Sequence, residues 1–383
     1  MLVTVIIVNY RVKYFLELCL HSVEKAVRGM EAEIIVVDNQ SGDDSLGYLR
    51  PRFPGVIFLA NSENMGFGRA NNQALKQARG KYILFLNPDT ILPGDFAALC
   101  LAFLCSTPMI GGLGVRMVDG SGQFLKESRR GFPSPWVAFC KLSGLAALFP
   151  RSRLFAGYYL GHLSADLAHP APVLSGACLW VSRAVLAEVG SFDEQFFLYA
   201  EDIDLSYRIE QAGYTNYYYP GTTIVHFKGE STTKDLRYVR QFYRAMSQFR
   251  RKHFGRGMPA FFNWGIEAAI RLRAGVAALG RFGGGRAGKD AGHIRRTWVG
   301  GDAAEAGRLK SLLAAGEERV IVEGEQEAEE VVLCEGETWS FRQCIDRLEI
   351  PGGGKRVVFH AGGSDSAVGS PDRGERGEVL ILL

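Results

Sequence analysis

Short apolar runs alternate with amphipathic stretches along the first part of the chain. Each run is five or six residues long and rich in β-branched or other apolar side chains, as buried strands are. The four runs are Val3–Val8, Glu33–Val37, Val56–Ala60 and Tyr82–Leu86. Between the last two, Phe67, Ala70, Ala74 and Ala78 share one face of a predicted helix. Because strands that alternate with helices form right-handed crossovers, we predict an α/β fold whose mixed, mainly parallel sheet is flanked by helices.

The rhythm changes after Ile110. Residues 132–172 are rich in proline, glycine and aromatic residues and are too long for a simple connection, so we expect a functional or mobile loop there. The regular pattern then returns. It predicts a strand at 173–182, a helix from about Glu201 to Ala212 and a strand that ends at His226.

The net charge of +3 conceals three regions of different charge. Residues 1–239 are balanced, residues 240–300 carry 13 basic and 2 acidic side chains, and residues 301–383 carry 9 basic and 17 acidic ones. The middle region holds a basic helical stretch and ends in a glycine-rich linker, and alternating helices and strands follow it.

Three parts of the chain are therefore expected. They are an α/β domain at 1–233, a basic amphipathic helical region with its linker at 234–300, and a small α/β domain at 301–383 that resembles a Rossmann-like segment. The sequence assigns no role to the last of these.

The seven cysteines show neither C-x-x-C nor metal-finger spacing, and several lie inside apolar runs. We expect buried, free thiols in a reducing compartment. The first strand begins at Val3 without the features of a signal peptide, and no stretch offers about 18 uncharged apolar residues. The sequence therefore predicts a cytoplasmic protein that does not span a membrane.

Polar residues follow two of the predicted strands at their carboxyl ends, where open α/β sheets bind ligands. The carboxylate of Asp38, with Asn39 beside it, can accept hydrogen bonds from a base or a ribose hydroxyl. Pro88 ends the fourth run, so Asp89 turns outward as a candidate ligand for a divalent metal that also binds diphosphate, with the amide of Asn87 nearby. Both aspartates could equally be turn residues that bind their own backbone.

The segment from Asn64 to Asn72 opens a predicted helix after the third strand. Gly66 and Gly68 would let the backbone approach a ligand closely, and a helix N-terminus favours phosphate or sugar oxygens. The third glycine of a dinucleotide fingerprint is absent, and the segment follows the wrong strand for one. A simple capped helix is the competing interpretation.

Asp202 lies three residues before Leu205, on the face of its predicted helix that Leu205 and Ile209 define as buried. The helix dipole stabilises its anionic form and partial burial opposes it, which suits a general base beside a substrate hydroxyl. An N-cap is the alternative role. Asp204 and Arg208 are spaced for a surface ion pair. His226, at the end of a strand, is a candidate second ligand near the metal, although a lone histidine is more often structural.

These residues, taken together, resemble a family-2 glycosyltransferase of the inverting type with the GT-A fold. The resemblance covers Val3 to about Ser231 and is closest to rhamnosyltransferase-like enzymes of surface-polysaccharide assembly. Seven short motifs occur in the expected order: Val8–Arg11, Val37–Asn39, Asn64–Gly68, Asn87–Thr90, Phe192–Glu194, Glu201–Leu205 and His226–Ser231.

The resemblance implies a role for each of the candidate residues. Asp202 would be the catalytic base, while Asp89 and His226 would bind Mg²⁺ or Mn²⁺. The residues that would bind the nucleotide sugar are Asn9, Asp38, Asn64, Gly66, Gly68 and Asn87. The family's metal motif is often Asp-x-Asp, whereas this chain has Asn87 at the first of those positions.

The resemblance also implies the substrates. The donor would be a deoxythymidine-diphosphate rhamnose or a uridine-diphosphate sugar, and the acceptor a hydroxyl of a glycan or of a polyprenyl-diphosphate-linked sugar. Residues 240–300 carry a net charge of +11. Within them, residues 240–282 also contain Phe261, Phe262 and Trp264, and basic and aromatic side chains together suit an anionic membrane surface at the inner face of the plasma membrane. The same residues could instead be helices that pack on the catalytic domain. No base-reading motif accompanies the charge, so nucleic acid is not expected.

Two other classes of protein remain open on the sequence. A sugar nucleotidyltransferase shares this kind of sheet but usually has a glycine-rich, basic loop after its first strand, where this chain has Asn9–Lys13. A non-catalytic module that binds a sugar or a lipid would keep the cleft but would not need Asp202.

Overall fold

A computed structural model describes residues 1–228 apart from positions 135, 138, 139, 141 and 142, and then residues 236–254, 294–316, 318–350, 355–370 and 377–382. Within these ranges the first sheet contains nine strands in the order β3-β2-β1-β4-β10-β6-β11-β5, with β8 paired to β11. Strands β1 to β4 pair in parallel, and β6 and β11 are parallel to each other. The inserted strand β10 runs antiparallel to both of its neighbours.

The strands of this part of the chain are β1 Val3–Asn9, β2 Ala32–Asp38, β3 Val56–Ala60, β4 Tyr82–Leu86, β5 Thr90–Ile91, β6 Ile110–Val118, β7 Arg129–Arg130, β8 His169–Pro170, β9 Val173–Leu174, β10 Cys178–Ser182 and β11 Thr215–His226. The helices are α1 Lys13–Ala26, α2 Ser45–Leu49, α3 Phe67–Leu75, α4 Phe96–Ser106, α5 Leu145–Leu148, α6 Arg183–Val189, α7 Glu201–Gln211 and α8 Leu236–His253. The four predicted strands are confirmed, and so is the mixed, mainly parallel sheet between helices.

Burial on both faces explains why these strands are continuous apolar runs in the sequence. Every residue of β1 and of β4 is buried, because helices cover both faces of the sheet. The two sides hold separate apolar clusters. Leu84 and Leu86 belong to one, and Ile83 and Phe85 belong to the other.

A second sheet is formed by β12 Arg295–Gly301, β13 Arg319–Ile321, β14 Glu330–Cys334, β15 Arg356–His360, β16 Ser366–Gly369 and β17 Glu378–Ile381, with helices α9 Ala303–Ala314 and α10 Phe341–Glu349. Its order is β13-β12-β14-β15-β16-β17, and the first four strands are parallel. Helices and strands alternate in this part of the chain, and its first described strand begins at Arg295.

The second sheet packs against helix α1 of the first. Phe15 and Phe227 share one apolar cluster with Phe341 and Phe359. Polar contacts accompany it: Ser366 Oγ donates to the buried carboxylate of Glu17 at 2.7 Å. Burying a charge away from water is costly unless it is hydrogen-bonded, so these contacts join the two sheets firmly.

Helix α8 packs on the first sheet's domain. Ala245 and Phe249 are buried against Val173, Phe196 and Ile203. This helix therefore packs on the first domain, which is one of the two alternatives that the sequence left open. The rest of the proposed membrane-binding segment, including Phe261, Phe262 and Trp264, lies outside the described residues.

Asp204 and Arg208 form the expected ion pair, but the prediction that it lies on the surface is wrong. The pair forms at 2.8 Å, but the Asp204 side chain is completely buried because α8 covers it. Lys252 Nζ and His253 Nε2 also reach its Oδ1, at 2.7 and 2.6 Å. Although burial raises the pKa of Asp204, these donors hold that pKa below its usual value.

Six of the seven cysteines are buried and all are free, as expected, whereas Cys105 is exposed. In the part of the chain that the structure describes, no helix has the length and apolar character that crossing a membrane would need.

Candidate active site

Asp38 ends β2 beside Asn9, which ends β1. Asn9 Nδ2 donates to Asp38 Oδ1 at 2.9 Å, and the Ser41 hydroxyl donates to the same oxygen. The Ser41 amide donates to Asp38 Oδ2 at 3.2 Å, so the turn that the sequence left as an alternative is present. Within the described residues, the buried Oδ1 of Asn9 has no hydrogen-bond partner. A buried acceptor left in this way usually marks a site where a ligand or water completes the bonding.

Asn39 joins this strand end to the loop before α3. Its Nδ2 donates to Asn64 Oδ1 at 2.9 Å, and its Oδ1 accepts from the Met65 amide at 3.0 Å. Asn64 Oδ1 in turn accepts from the Gly66 amide at 3.0 Å. The structure thus brings the loop of Asn64 and Gly66 to the same edge of the sheet as Asp38.

The loop glycines contact protein. Gly66 has a φ of 83°, and a Cβ on it would overlap the carbonyl oxygen of Phe197. The Phe67 amide donates to that oxygen at 2.9 Å. Gly68 packs on Phe192, whose Cβ would lie 3.4 Å from a Cβ on the glycine. Packing therefore explains both glycines, and their expected contact with a ligand stays a prediction.

Asn87, Asp89 and His226 meet at the end of β4. His226 Nε2 lies 3.3 Å from Asn87 Nδ2 and 3.4 Å from Asp89 Oδ1. One ring nitrogen cannot both accept from the amide and donate to the carboxylate. A cation between His226 and Asp89 would bind the nitrogen lone pair and the carboxylate together, so these two side chains fit a divalent metal.

The rest of a metal's coordination shell would come from outside these two side chains. In the described ranges, His, Cys, Asp and Glu nowhere form a group of three or more that could hold an ion. Substrate phosphates and water normally complete a Mg²⁺ shell of one or two protein ligands.

Asp202 lies in the first turn of α7, and three donors reach its carboxylate. The Ile203 amide donates to Oδ1 at 2.8 Å, the Gly176 amide donates to Oδ2 at 3.1 Å, and the Arg130 guanidinium donates to Oδ2. Burial lowers the pKa of Arg130, but the interactions with Asp202 and Tyr158 together outweigh burial and hold that pKa above its usual value. Arg130 therefore stays charged beside the carboxylate.

One short stretch of backbone connects the metal-binding pair with Asp202. The backbone N–H of Asn87 donates to the Ala177 carbonyl at 2.9 Å, and the backbone N–H of Gly176, the residue before Ala177, donates to Asp202. Asp202 therefore lies at the carboxyl edge of β4, as Asn87 and Asp89 do. Asp38 lies at the carboxyl edge of β2, and β1 alone separates the two strands. The structure thus brings the three aspartates to one edge of the sheet.

Glu201 is a second buried carboxyl group beside Asp202. Burial, followed by the charge of Asp202, raises the pKa of Glu201 to about 8. Its buried Oε2 has no hydrogen-bond partner in the residues that the structure describes. The neutral form of Glu201 is therefore favoured at neutral pH.

Strained backbone surrounds these residues. Tyr199 and Ala200, directly before α7, have φ values of 69° and 68°, and Arg11, Gln40 and Lys228 have φ values near 60°. Each lies within three residues of Asn9, Asp38, Asp202 or His226. Positive φ in residues other than glycine costs free energy and concentrates at functional sites.

A cavity of about 550 Å³ opens next to this edge, lined by Gln195, Phe197, Leu198, Gln241, Arg244, Ala245 and Gln248. Ala245 packs with Ala200 and Ile203, which flank Glu201 and Asp202 in the sequence. The cavity therefore lies between α8 and the start of α7.

Sequence reasoning missed three residues of this site, which are Ser41, Arg130 and Glu201. Ser41 follows Asp38 by three residues in a turn-forming segment, which was a usable signal. Arg130 lies 72 residues from Asp202 in an irregular stretch, where no local pattern marks it.

Comparisons with known proteins identify the family of this chain. Residues 4–190 match the family model "Glycosyl transferase family 2". An N-acetylglucosaminyl-diphospho-decaprenol L-rhamnosyltransferase from Mycobacterium tuberculosis is 28% identical over 254 residues, which are 63% of this chain and 81% of the relative. The rhamnosyltransferase WbbL from Escherichia coli is 26% identical, over 51% of this chain and 72% of its own length.

Among solved structures, a mannosyltransferase from Pyrobaculum calidifontis in complex with GDP-Man and Mn²⁺ covers 82% of this chain and 79% of its own, with 17% identity and a TM-score of 0.47. Sequence similarity, and not this structural likeness, identifies the family of the chain. The chain belongs to glycosyl transferase family 2 and is a glycosyltransferase of rhamnosyltransferase-like type.

Proposed function

We propose that this chain transfers a rhamnosyl residue from a nucleotide-diphosphate donor to a hydroxyl of a polyprenyl-diphosphate-linked glycan, at the inner face of the plasma membrane. The hydrogen-bonded connection from Asn87 through Ala177 and Gly176 to Asp202 supports it most directly. That connection holds a candidate base and a candidate diphosphate site at one edge of the sheet, as a displacement between donor and acceptor requires.

The donor would bind along the carboxyl edge of the sheet. The Asp38 carboxylate and the Asn9 Oδ1 would accept hydrogen bonds from the base and the ribose, and Asn64 would contact the sugar nucleotide from the loop before α3. Thymidine diphosphate is the proposed carrier and uridine diphosphate the second choice. Similarity to rhamnosyltransferases supports this order, because no described contact distinguishes the two.

Asp89 and His226 would hold Mg²⁺ or Mn²⁺ beside the diphosphate. The ion, when bound, neutralises negative charge that develops on the leaving diphosphate. This assignment depends on the shared position of the carboxylate and the imidazole at the end of β4.

The reaction is a single inverting displacement. Asp202 accepts the proton of the acceptor hydroxyl as that oxygen forms a bond to the anomeric carbon. The bond between the anomeric carbon and the phosphate oxygen breaks, and the electron pair leaves with the nucleoside diphosphate. Arg130 and the Gly176 amide hold the Asp202 carboxylate in position.

Replacement of Asp202 by Asn tests the proposal. We expect turnover to fall by about 10²–10⁴-fold while donor affinity stays close to that of the wild type. Asp166→Asn, which changes an exposed carboxylate paired with Arg116, is the matched control and should retain activity. An equal loss of donor affinity in Asp202→Asn would make Asp202 a binding residue.

The products also separate the classes of protein that the sequence left open. Release of nucleoside diphosphate together with a glycosylated acceptor is expected. Pyrophosphate release would identify a nucleotidyltransferase, and no turnover with any donor, acceptor or metal would leave a binding module.

A further inference from the structure

An exposed apolar surface lies on the long loop between β7 and β9. Leu148, Phe149 and Leu154 are 73%, 51% and 59% exposed, and Trp136 is 44% exposed. Large apolar side chains are common singly on protein surfaces, so their arrangement decides whether they matter.

The aromatic side chains of this surface lie together around Phe155. The ring of Phe155 lies 5.4 Å from that of Phe149 and 6.2 Å from that of Trp136. Trp136 Nε1 donates to the Leu154 carbonyl at 2.8 Å, which fixes the indole against the same turn. The rings are therefore held together on the outside of the domain, without a described element covering them.

Two exposed arginines, Arg151 and Arg153, lie between Phe149 and Leu154 in the sequence. The sequence from Gly131 to Ala165 contains no Asp or Glu, and the first acidic residue of the loop is Asp166, which pairs with Arg116. Apolar and aromatic side chains combined with basic ones, and no acidic ones, complement a bilayer interface with anionic headgroups. A soluble acidic protein would need the charge but not the exposed leucines and phenylalanine.

The same loop reaches Asp202 at its base. The Gly131 amide donates to the Tyr158 carbonyl at 2.9 Å, and Tyr158 is hydrogen-bonded to Arg130. Arg130 donates to Asp202. The exposed cluster and the carboxylate are thus connected through one short segment.

We propose that the loop surface formed by Trp136, Leu148, Phe149, Arg151, Arg153 and Leu154 binds the interface of an anionic lipid bilayer. Bound in this way, it holds the cleft at the membrane surface where the hydroxyl of a lipid-linked acceptor is presented. The purpose of the contact rests on the proposed function, whereas the contact itself does not. This surface is separate from residues 240–282, which the sequence alone pointed to.

Flotation of the full chain with vesicles tests the contact. Vesicles of phosphatidylcholine with phosphatidylglycerol should carry the wild-type protein, and vesicles of phosphatidylcholine alone should carry much less. Binding should weaken with added salt, since exposed charges are screened beyond about 8 Å at physiological ionic strength.

Two variants address the two kinds of side chain. Arg151→Gln with Arg153→Gln should weaken binding to the anionic vesicles by about fivefold for each arginine. Leu148→Ser with Phe149→Ser should reduce binding to both kinds of vesicle. Arg50→Gln with Val320→Ser, which changes an exposed arginine and an exposed valine elsewhere, is the control and should bind like the wild type. Matching thermal melts would confirm that the variants fold.

Trp136 gives a direct readout. Lipids brominated on their acyl chains should quench its fluorescence on binding, and Trp136→Phe should remove that part of the quenching. Unchanged flotation of both loop variants would overturn the proposal and assign binding to another segment. Concentration-dependent dimers that Leu148→Ser with Phe149→Ser abolishes, without vesicle binding, would show that a second copy covers the surface and would also overturn it.

Activity separates this proposal from the proposed function. The loop variants should lose transfer to a long-chain lipid-linked acceptor in vesicles but keep transfer to a short-chain, water-soluble one. Equal loss of both would overturn a purely membrane-binding role. Vesicle binding by a wild type that transfers no sugar to either acceptor would instead contradict the proposed function and leave the surface intact.

Discussion

The guanidinium of Arg130 donates to Oδ2 of Asp202 across 72 residues of sequence. Only 11% of the Arg130 side chain and 14% of the Asp202 side chain is exposed. Removing one partner of an ion pair that is this little exposed to water is costly, because the other charge is left buried and unpaired. The candidate base is therefore held by a residue of β7, directly before the 131–172 loop.

Arg130→Lys should reduce kcat by about 10²-fold and leave the KM for the donor unchanged, because a small misplacement of the base slows proton transfer without altering donor contacts. Steady-state kinetics with a varied donor measure this split. Arg183→Lys is the control, since Arg183 donates to the main-chain carbonyls of Ala78 and Gly80. It should lower stability but not kcat. A rise in the donor KM of Arg130→Lys would place Arg130 in the donor site.

Glu201→Gln should change how stability depends on pH. Because burial raises the folded-state pKa of Glu201 to about 8, the folded chain binds a proton that the unfolded chain has lost above its ordinary pKa near 4.5. Glu201 therefore makes the free energy of unfolding fall between about pH 4.5 and 8, by at most about 1.4 kcal/mol per pH unit.

Denaturant titrations of both proteins from pH 5 to 8 measure this, and the wild-type-minus-variant difference isolates Glu201 from Glu210, whose pKa burial raises to about 7. The variant should gain stability relative to the wild type as pH rises. A difference that does not vary with pH would mean that Glu201 is charged in the folded protein.

Asp89→Asn should abolish metal-dependent binding of the donor, because it removes the carboxylate that faces His226. In the wild type, donor with Mn²⁺ or Mg²⁺ at about 100 times its dissociation constant should stabilise the fold by roughly 2.7 kcal/mol. Thermal-shift measurements with and without metal detect the effect. Asp43→Asn, outside the metal-binding pair, should keep the shift. Persistence of the shift in Asp89→Asn would exclude Asp89 as a ligand.

Asp204→Asn should destabilise the chain by about 3 kcal/mol, because it leaves Arg208, Lys252 and His253 without their buried counter-charge. The pKa of Asp204 is lowered in the folded state, so its contribution is present above the ordinary pKa of an aspartate and is lost as the pH falls. The stability gap between the variant and the wild type should therefore narrow in acid. Equal stability at pH 7 would show that α8 does not depend on this cluster.

Arg244→Gln should raise the KM for the acceptor by about tenfold and leave the donor KM unchanged, if the cavity beside α8 receives the acceptor's diphosphate. Arg251→Gln, an exposed arginine two turns further along the same helix, is the matched control. Kinetics with a varied acceptor decide between them. Identical acceptor KM values in the two variants would remove the cavity from the acceptor path.

The sequence predicted those features that leave a local pattern. A strand covered on both faces must be apolar throughout, so Tyr82–Leu86 was recognisable, and its abrupt end located Asp89. The helix period placed Leu205 and Ile209 inside correctly.

Contacts between distant segments left no such pattern. The i,i+4 spacing of Asp204 and Arg208 is the same in a surface pair and in a buried one, and only the packing of α8 decides which it is. The partner of Asp202 and the burial of Glu201 depend in the same way on residues far along the chain.

The ends of the 131–172 loop are held by strand pairing, in which Arg129 faces Leu174 and Arg130 faces Val173. The free energy of closing a loop rises only slowly with its length, so a loop pinned in this way can lengthen, shorten or change composition while the sheet around it stays as it is. Evolution, or an engineer who exchanges loops between relatives, can therefore change the exposed apolar surface on this loop without rebuilding the sheet edge that carries the candidate site.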